Sequence, residues 1–177
     1  MKKKIKRPIQ INLLDLQDKR YVYLAGKINV GSTSSNYRKK VGLVFKKNGL
    51  TPLDPLRGKY NTALWDSYSP TGVVMRDMQD LKRAHVVFAV IAQDDGYLSF
   101  GTPCEIALAS ILYHTPVILV TDMPKLAKHF WVKYFCSRVF FAKKGFLQQT
   151  INDAVKHTIH WYGQKIELEI FNNPKSV

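Results

Sequence analysis

Apolar residues in this chain gather in short runs separated by polar turns, and the spacing within each run assigns its element. Tyr21-Val-Tyr-Leu-Ala25 reads as a buried strand, closed by Gly26 and a polar loop over residues 27–35. Ser34 or Ser35 is placed to cap the next helix, which carries Val41, Val44 and Phe45 on one face and stops at Asn48-Gly49. Residues 50–53 form a short second strand, and the Pro, Gly, Asn and Ser of residues 54–70 predict a long, ordered, functional loop. A second helix is expected from Thr71, with Val74, Met78 and Leu81 inward. His85-Val-Val-Phe-Ala-Val-Ile91 is apolar nearly throughout, the mark of a central strand covered on both faces of a parallel sheet. A loop over 92–101 leads to a helix over 102–113, residues 116–120 and 138–141 supply two more strands, and 146–162 form a closing amphipathic helix.

Strands alternating with helices at this spacing predict a doubly wound (flavodoxin/Rossmann-like) α/β fold. Five strands favour a parallel sheet in the order 2-1-3-4-5 with helices on both faces. In that order the crevice opens where strands 1 and 3 diverge, at their carboxyl ends. The loops 26–35 and 92–101 meet there, with 54–60 close by. The domain is expected over residues 21–163, between a basic N-terminal extension, 1–20, and a C-terminal tail, 164–177.

A length of 177 residues with 46% hydrophobic content suits one sizeable core. A net charge of +14 invites a nucleic-acid partner through counterion release. The cations are spread over 2–7, 38–40, 46–47, Arg57, Lys59 and 143–144 without a nucleic-acid module around them. Solvated faces and attraction for a small phosphorylated substrate account for them as well, so nucleic acid is the lesser expectation. Cys104 and Cys136 belong to no CxxC or Cys/His spacing, and the histidines show no paired-ligand arrangement, so neither disulfide, metal nor cofactor is expected. The basic start is followed by Asn12, Asp15, Gln17, Asp18, Lys19 and Arg20, which interrupt any export or membrane-spanning run and predict a cytoplasmic protein with no membrane partner.

Glu105 lies one turn into the helix after the central strand, so its carboxylate is directed back toward the crevice. The positive helix end is expected to keep it ionised. An ionised carboxylate there is a workable nucleophile toward an anomeric carbon; alternatively, Glu105 is a first-turn acid that stabilises the helix. Gly101 and Thr102 form a tight entry whose backbone N–H groups suit an anion, while Ile106 and Ala109 anchor the helix. Asp77 and Asp80, three apart, share a helix face. Either binds a sugar hydroxyl or passes a proton to a leaving base, although pairing with Arg76 or Lys82 is the better expectation for Asp77. Tyr23 is either core filler or a pocket-floor hydroxyl beside the nucleophile. Arg57 and Lys59, in a loop of turn formers, meet a base carbonyl or phosphate, or are simply solvated.

Together Tyr23-Leu-Ala-Gly26, Leu53-Asp-Pro-Leu-Arg-Gly-Lys59, Arg76-Asp-x-x-Asp-Leu81 and Gly101-Thr-x-x-Glu105 resemble the nucleoside 2-deoxyribosyltransferase family, over roughly residues 21–120. The resemblance implies Glu105 as nucleophile, Tyr23 as its support and Asp80 as an assistant at the sugar or base. It implies substrate contacts from Gly26, Lys27, Ile28, Asn29, Asp54, Leu56, Arg57, Lys59, Asp77, Gly101 and Thr102, and a nucleoside or nucleotide substrate with a free nucleobase as acceptor. Where many of these transferases carry an Asp six positions before the nucleophile, this chain has Ser99, as in relatives that hydrolyse 2'-deoxynucleoside 5'-phosphates. Asp94 and Asp95 stand in the same loop as possible substitutes. His129 matches a position that the family lends to a neighbouring subunit's site, and Phe130, Trp131, Tyr134 and Phe135 offer an aromatic surface for a homo-oligomer to bury.

Overall fold

The computed structural model describes residues 19–27, 33–57, 69–93 and 100–172, and of 33–36 and 162–172 the backbone alone. Five strands, β1 (Arg20–Gly26), β2 (Leu50–Leu53), β3 (Val86–Ile91), β4 (Val117–Thr121) and β5 (Arg138–Phe141), form one sheet. Its order is β2-β1-β3-β4-β5, and all four pairings are parallel. The intervening helices are α1 (Thr33–Lys47), α2 (Pro70–Arg83), α3 (Gly101–Leu112), α4 (Pro124–Lys128), α5 (Phe130–Phe135) and α6 (Leu147–Asn172). The doubly wound fold expected from the strand and helix alternation is the one observed.

All six residues of β3 are buried, as a strand covered on both faces requires. Side chains alternate across the sheet, so β1 divides itself between two cores. Val22 and Leu24 face α1 and α6, where Phe45 meets Phe88 edge-on at 5.4 Å. Burying each such ring contributes about 2–3 kcal/mol. Tyr23 and Ala25 face the other layer, with Leu81 of α2 and Ile106 and Ala109 of α3. That alternation puts the Tyr23 hydroxyl on the side from which α3 approaches.

Several boundaries differ from the sequence reading. Helix α1 already includes Ser34 and Ser35, so neither is its cap. Its face is narrower than expected, because Val44 is 42% exposed while Val41 and Phe45 are buried. Helix α2 begins at Pro70, since proline is preorganised for a first helical position, and Ser69 caps it by accepting from Gly72 N at 3.1 Å. Val74 points outward at 56% exposure; one inward position belongs instead to Asp80. Helix α3 starts one residue earlier than expected, at Gly101. Helix α6 passes through Gly163 and continues to Asn172 rather than stopping at Tyr162. A single glycine costs a helix about 1 kcal/mol and does not end one when good helix formers follow. No helix among the described residues is long and apolar enough to cross a membrane.

Candidate active site

Three chain segments converge at the carboxyl ends of β1 and β3. From β1 comes Tyr23, fully buried, whose hydroxyl donates to Glu105 Oε1 at 2.7 Å. Glu105 stands in the first turns of α3, which has no side-chain N-cap. Beside them, Thr102 is 2% exposed, and its Oγ1 has no hydrogen-bond partner among the described residues. A buried hydroxyl without a partner costs roughly 1–3 kcal/mol. Helix α2 supplies Asp77 and Asp80, whose charges both act on Tyr23.

Burial dominates the electrostatics of Glu105 and pushes its carboxyl up to about 7. The Tyr23 hydrogen bond opposes that shift, the Asp77 charge adds to it, and the Arg38 guanidinium opposes it. Desolvation thus outweighs the interactions that favour the carboxylate. Tyr23 is pushed far above the ordinary phenol value, first by burial and then by Glu105 and Asp77, so it stays protonated and donates. The pair thus presents a carboxyl that changes charge near neutrality, held by a phenol that does not.

Asp80 is 2% exposed and forms an ion pair with Arg57, which reaches it from the turn after β2. The contact is close but poorly angled for a hydrogen bond, since Oδ2 has no hydrogen-bond partner among the described residues. Asp54 builds that turn: its Oδ1 accepts from Leu56 N at 2.9 Å, and its carbonyl accepts from Arg57 N at 3.0 Å and Arg57 Nη1 at 3.1 Å. Arg76 ties the turn to α2 through the Pro55 carbonyl and pairs with Asp77 at 3.0 Å. Arg57, expected to meet a base or phosphate or be solvated, pairs with Asp80 while its side chain stays 42% exposed. Asp77 pairs with Arg76, the better of its two expectations, and its charge also acts on Glu105.

At the exit of β1, Gly26 has φ 154°, and a Cβ there would lie 2.7 Å from Tyr37 Oη and 2.8 Å from the Val90 carbonyl. Glycine is required by both conformation and space. Lys27 is buried, and its carbonyl accepts from Arg38 Nη1 at 2.9 Å. Arg38 itself, read from sequence as part of a solvated cationic face, is 1% exposed and belongs to the site's surroundings. His129 is not joined to the Tyr23–Glu105 pair: its Nδ1 caps α5 by accepting from Trp131 N at 3.3 Å, and its ring stacks on Phe130. Ile28, Asn29, Lys59, Ser99, Asp94, Asp95 and the cationic residues 2–7 lie outside the described residues. Among the described residues no group of three or more His, Cys, Asp or Glu is arranged to hold a metal ion.

Fold and site define an α/β domain of the doubly wound class with a tyrosine-supported carboxyl at its switch point. In fold the chain is similar to a 2-deoxyribosyltransferase from Bacillus psychrosaccharolyticus, at 21% identity and TM-score 0.56 over 69% of this chain and 86% of that one. A conserved protein from Enterococcus faecalis V583 superposes at TM-score 0.54 and 10% identity, over 76% of this chain and 99% of that one. A CMP N-glycosidase from Clostridium botulinum, at 17% identity over 73% of this chain and 97% of that one, reaches only 0.49, too loose to carry an argument. At such identities the likeness is one of fold. No family model matches the sequence, and no curated protein matches it.

Proposed function

We propose that the chain is an enzyme of the nucleoside 2-deoxyribosyltransferase kind, which cleaves the N-glycosidic bond of a deoxynucleoside or its 5'-phosphate through Glu105. The observation that carries this reading is the 2.7 Å bond between the Tyr23 hydroxyl and Glu105, at the mouth of a fold shared with a 2-deoxyribosyltransferase. One Glu105 oxygen attacks the anomeric carbon, the carbon–nitrogen bond breaks, and the base leaves with the electron pair and takes up a proton. A glycosyl ester remains on Glu105. A nitrogen of a second base, or water, then attacks the same carbon and regenerates the carboxylate, with configuration retained after two displacements. Asp80 assists at the sugar or base, and Gly26, Lys27, Leu56, Thr102 and the 101–102 entry bound the substrate.

A second reading, hydrolysis of 2'-deoxynucleoside 5'-monophosphates, is favoured by Ser99 in the position where transferases carry an Asp. Product chromatography separates the two. The protein is incubated with each deoxynucleoside and each 5'-monophosphate, with and without a second free base. A new nucleoside that forms only with the acceptor supports transfer. Free base and deoxyribose phosphate without an acceptor support hydrolysis, and no Glu105-dependent product from any substrate removes both. A homo-oligomer belongs to the same proposal, because Phe130, Trp131 and Tyr134 are 70%, 53% and 76% exposed and stand together on α5.

A further inference from the structure

The turn after β2 and helix α2 are laced together by two arginines that cross in opposite directions. Arg76 reaches from α2 to the Pro55 carbonyl, and Arg57 reaches from the turn to Asp80 on α2. Within the turn, Asp54 fixes the backbone of Leu56 and Arg57. Arg57 is therefore held at its main chain and at its head, which removes much of the rotamer freedom that an exposed arginine otherwise keeps.

The two ends of the Arg57–Asp80 pair differ in their surroundings. Asp80 is 2% exposed, whereas the Arg57 side chain is 42% exposed. A pair built for stability alone gains most when both partners are enclosed and joined through two parallel N–H bonds. Here one nitrogen, Nη1, makes both contacts, to Asp80 and to the Asp54 carbonyl at 3.1 Å. Nε and Nη2 have no partner among the described residues, so the edge that carries two parallel N–H bonds is left open on a clamped guanidinium. That edge matches two oxygens of one phosphate. A nucleobase offers a similar pair of acceptors, but its apolar faces belong where water is excluded, whereas a phosphate is best held where it keeps part of its hydration. A guanidinium as exposed as that of Arg57, beside a buried carboxylate of the crevice, suits the phosphate.

We propose that Arg57 is the specificity residue for the 5'-phosphate of a deoxynucleotide: clamped through Nη1 by Asp80 and Asp54, it presents its Nε–Nη2 edge to two phosphate oxygens. The inference rests on the reading of the crevice as a deoxynucleoside or deoxynucleotide site, and it selects the phosphorylated substrate. Calorimetric titration of the full chain carrying Glu105→Gln, which prevents turnover, gives Kd for each deoxynucleoside and its 5'-monophosphate. With Arg57 intact the monophosphate binds at least about tenfold more tightly, and Arg57→Met brings the two within about twofold of each other. Arg57→Lys, a point charge without the fork, keeps part of the preference. Asp80→Asn keeps most of it, because the open edge is still present. The double variant Arg57→Met/Asp80→Asn, which leaves no buried carboxylate unpaired at this place, stands in if the Met variant does not fold. A preference unchanged by Arg57→Met, an equal loss for nucleoside and monophosphate, no preference with Arg57 intact, or no measurable binding of either ligand overturns the proposal. Base release by the chain with Glu105 intact judges the reaction separately. An Arg57-dependent preference without release from any substrate sinks the reaction and leaves the phosphate contact standing, and release with an Arg57-independent preference does the reverse.

Discussion

Glu105 sits between burial, which favours its proton, and the Tyr23 hydrogen bond and Arg38 charge, which favour its ionised form. From an ordinary value of 4.5 up to about 7, the folded chain keeps a proton that the unfolded chain has released. The folded state binds more protons in that window, so this group's contribution to stability falls as pH rises through it. Glu105→Gln removes the penalty. Its Tm is expected to match the wild type at pH 4 and exceed it at pH 8, reflecting a stability gain of roughly 1–3 kcal/mol there. Identical melting at pH 8 would show that the carboxylate is not held at a cost. Thr102 gives a second test, because its buried hydroxyl has no partner among the described residues. Thr102→Val should leave stability unchanged or slightly higher, yet lower kcat/KM about tenfold if the hydroxyl meets substrate, a loss of about 1.4 kcal/mol. A variant as active as the wild type would remove Thr102 from the site. Tyr23, Asp77, Asp80, Arg57 and Glu105 were legible as a group because their motifs end at neighbouring loops of one topology. Arg38 was not, since Arg38-Lys-Lys40 reads as a solvated cationic run. The missed signal is its helical phase: Arg38 precedes the buried Val41 and Phe45 by three and seven positions.

Among the elements, β1 carries most of the demands made on the site: it fills both cores, bears Tyr23 and turns at a glycine that nothing larger fits. Gly26→Ala must move Tyr37, Arg38 or the Val90 backbone, and a stability loss of roughly 2–4 kcal/mol is expected in urea unfolding. A loss under about 0.5 kcal/mol would mean that the turn adapts. Helix α3 ends differently: His114, just beyond it, adopts φ 49°, a left-handed conformation that suits glycine. His114→Gly should raise stability by about 1 kcal/mol, at the end of the sheet away from Glu105, with no change in base release. The strands β1, β3, β4 and β5 were readable from their apolar runs, and β2, Leu-Thr-Pro-Leu, from its place between a helix stop and a turn. The short helices α4 and α5 were not, because five and six residues show no helical period and Phe130-Trp-Val-Lys-Tyr-Phe135 is aromatic nearly throughout.

Taken whole, the molecule combines an ordinary doubly wound core with a net charge of +14. Repulsion among like charges opposes the compact state and is screened by salt. Raising sodium chloride from low to physiological strength should therefore raise Tm at pH 7, and a Tm that falls instead would indicate that attractive pairs such as Arg57–Asp80 govern the balance. The central claim is that Glu105 performs the chemistry. The measurement that tests it most directly is the rate of base release by the wild type, Glu105→Gln and Glu105→Ala, across the deoxynucleosides and their 5'-monophosphates. Release by the wild type that drops at least about a thousandfold in both variants, with their folds intact, is the predicted result. Release that persists in the variants, or that no substrate elicits from the wild type, contradicts it.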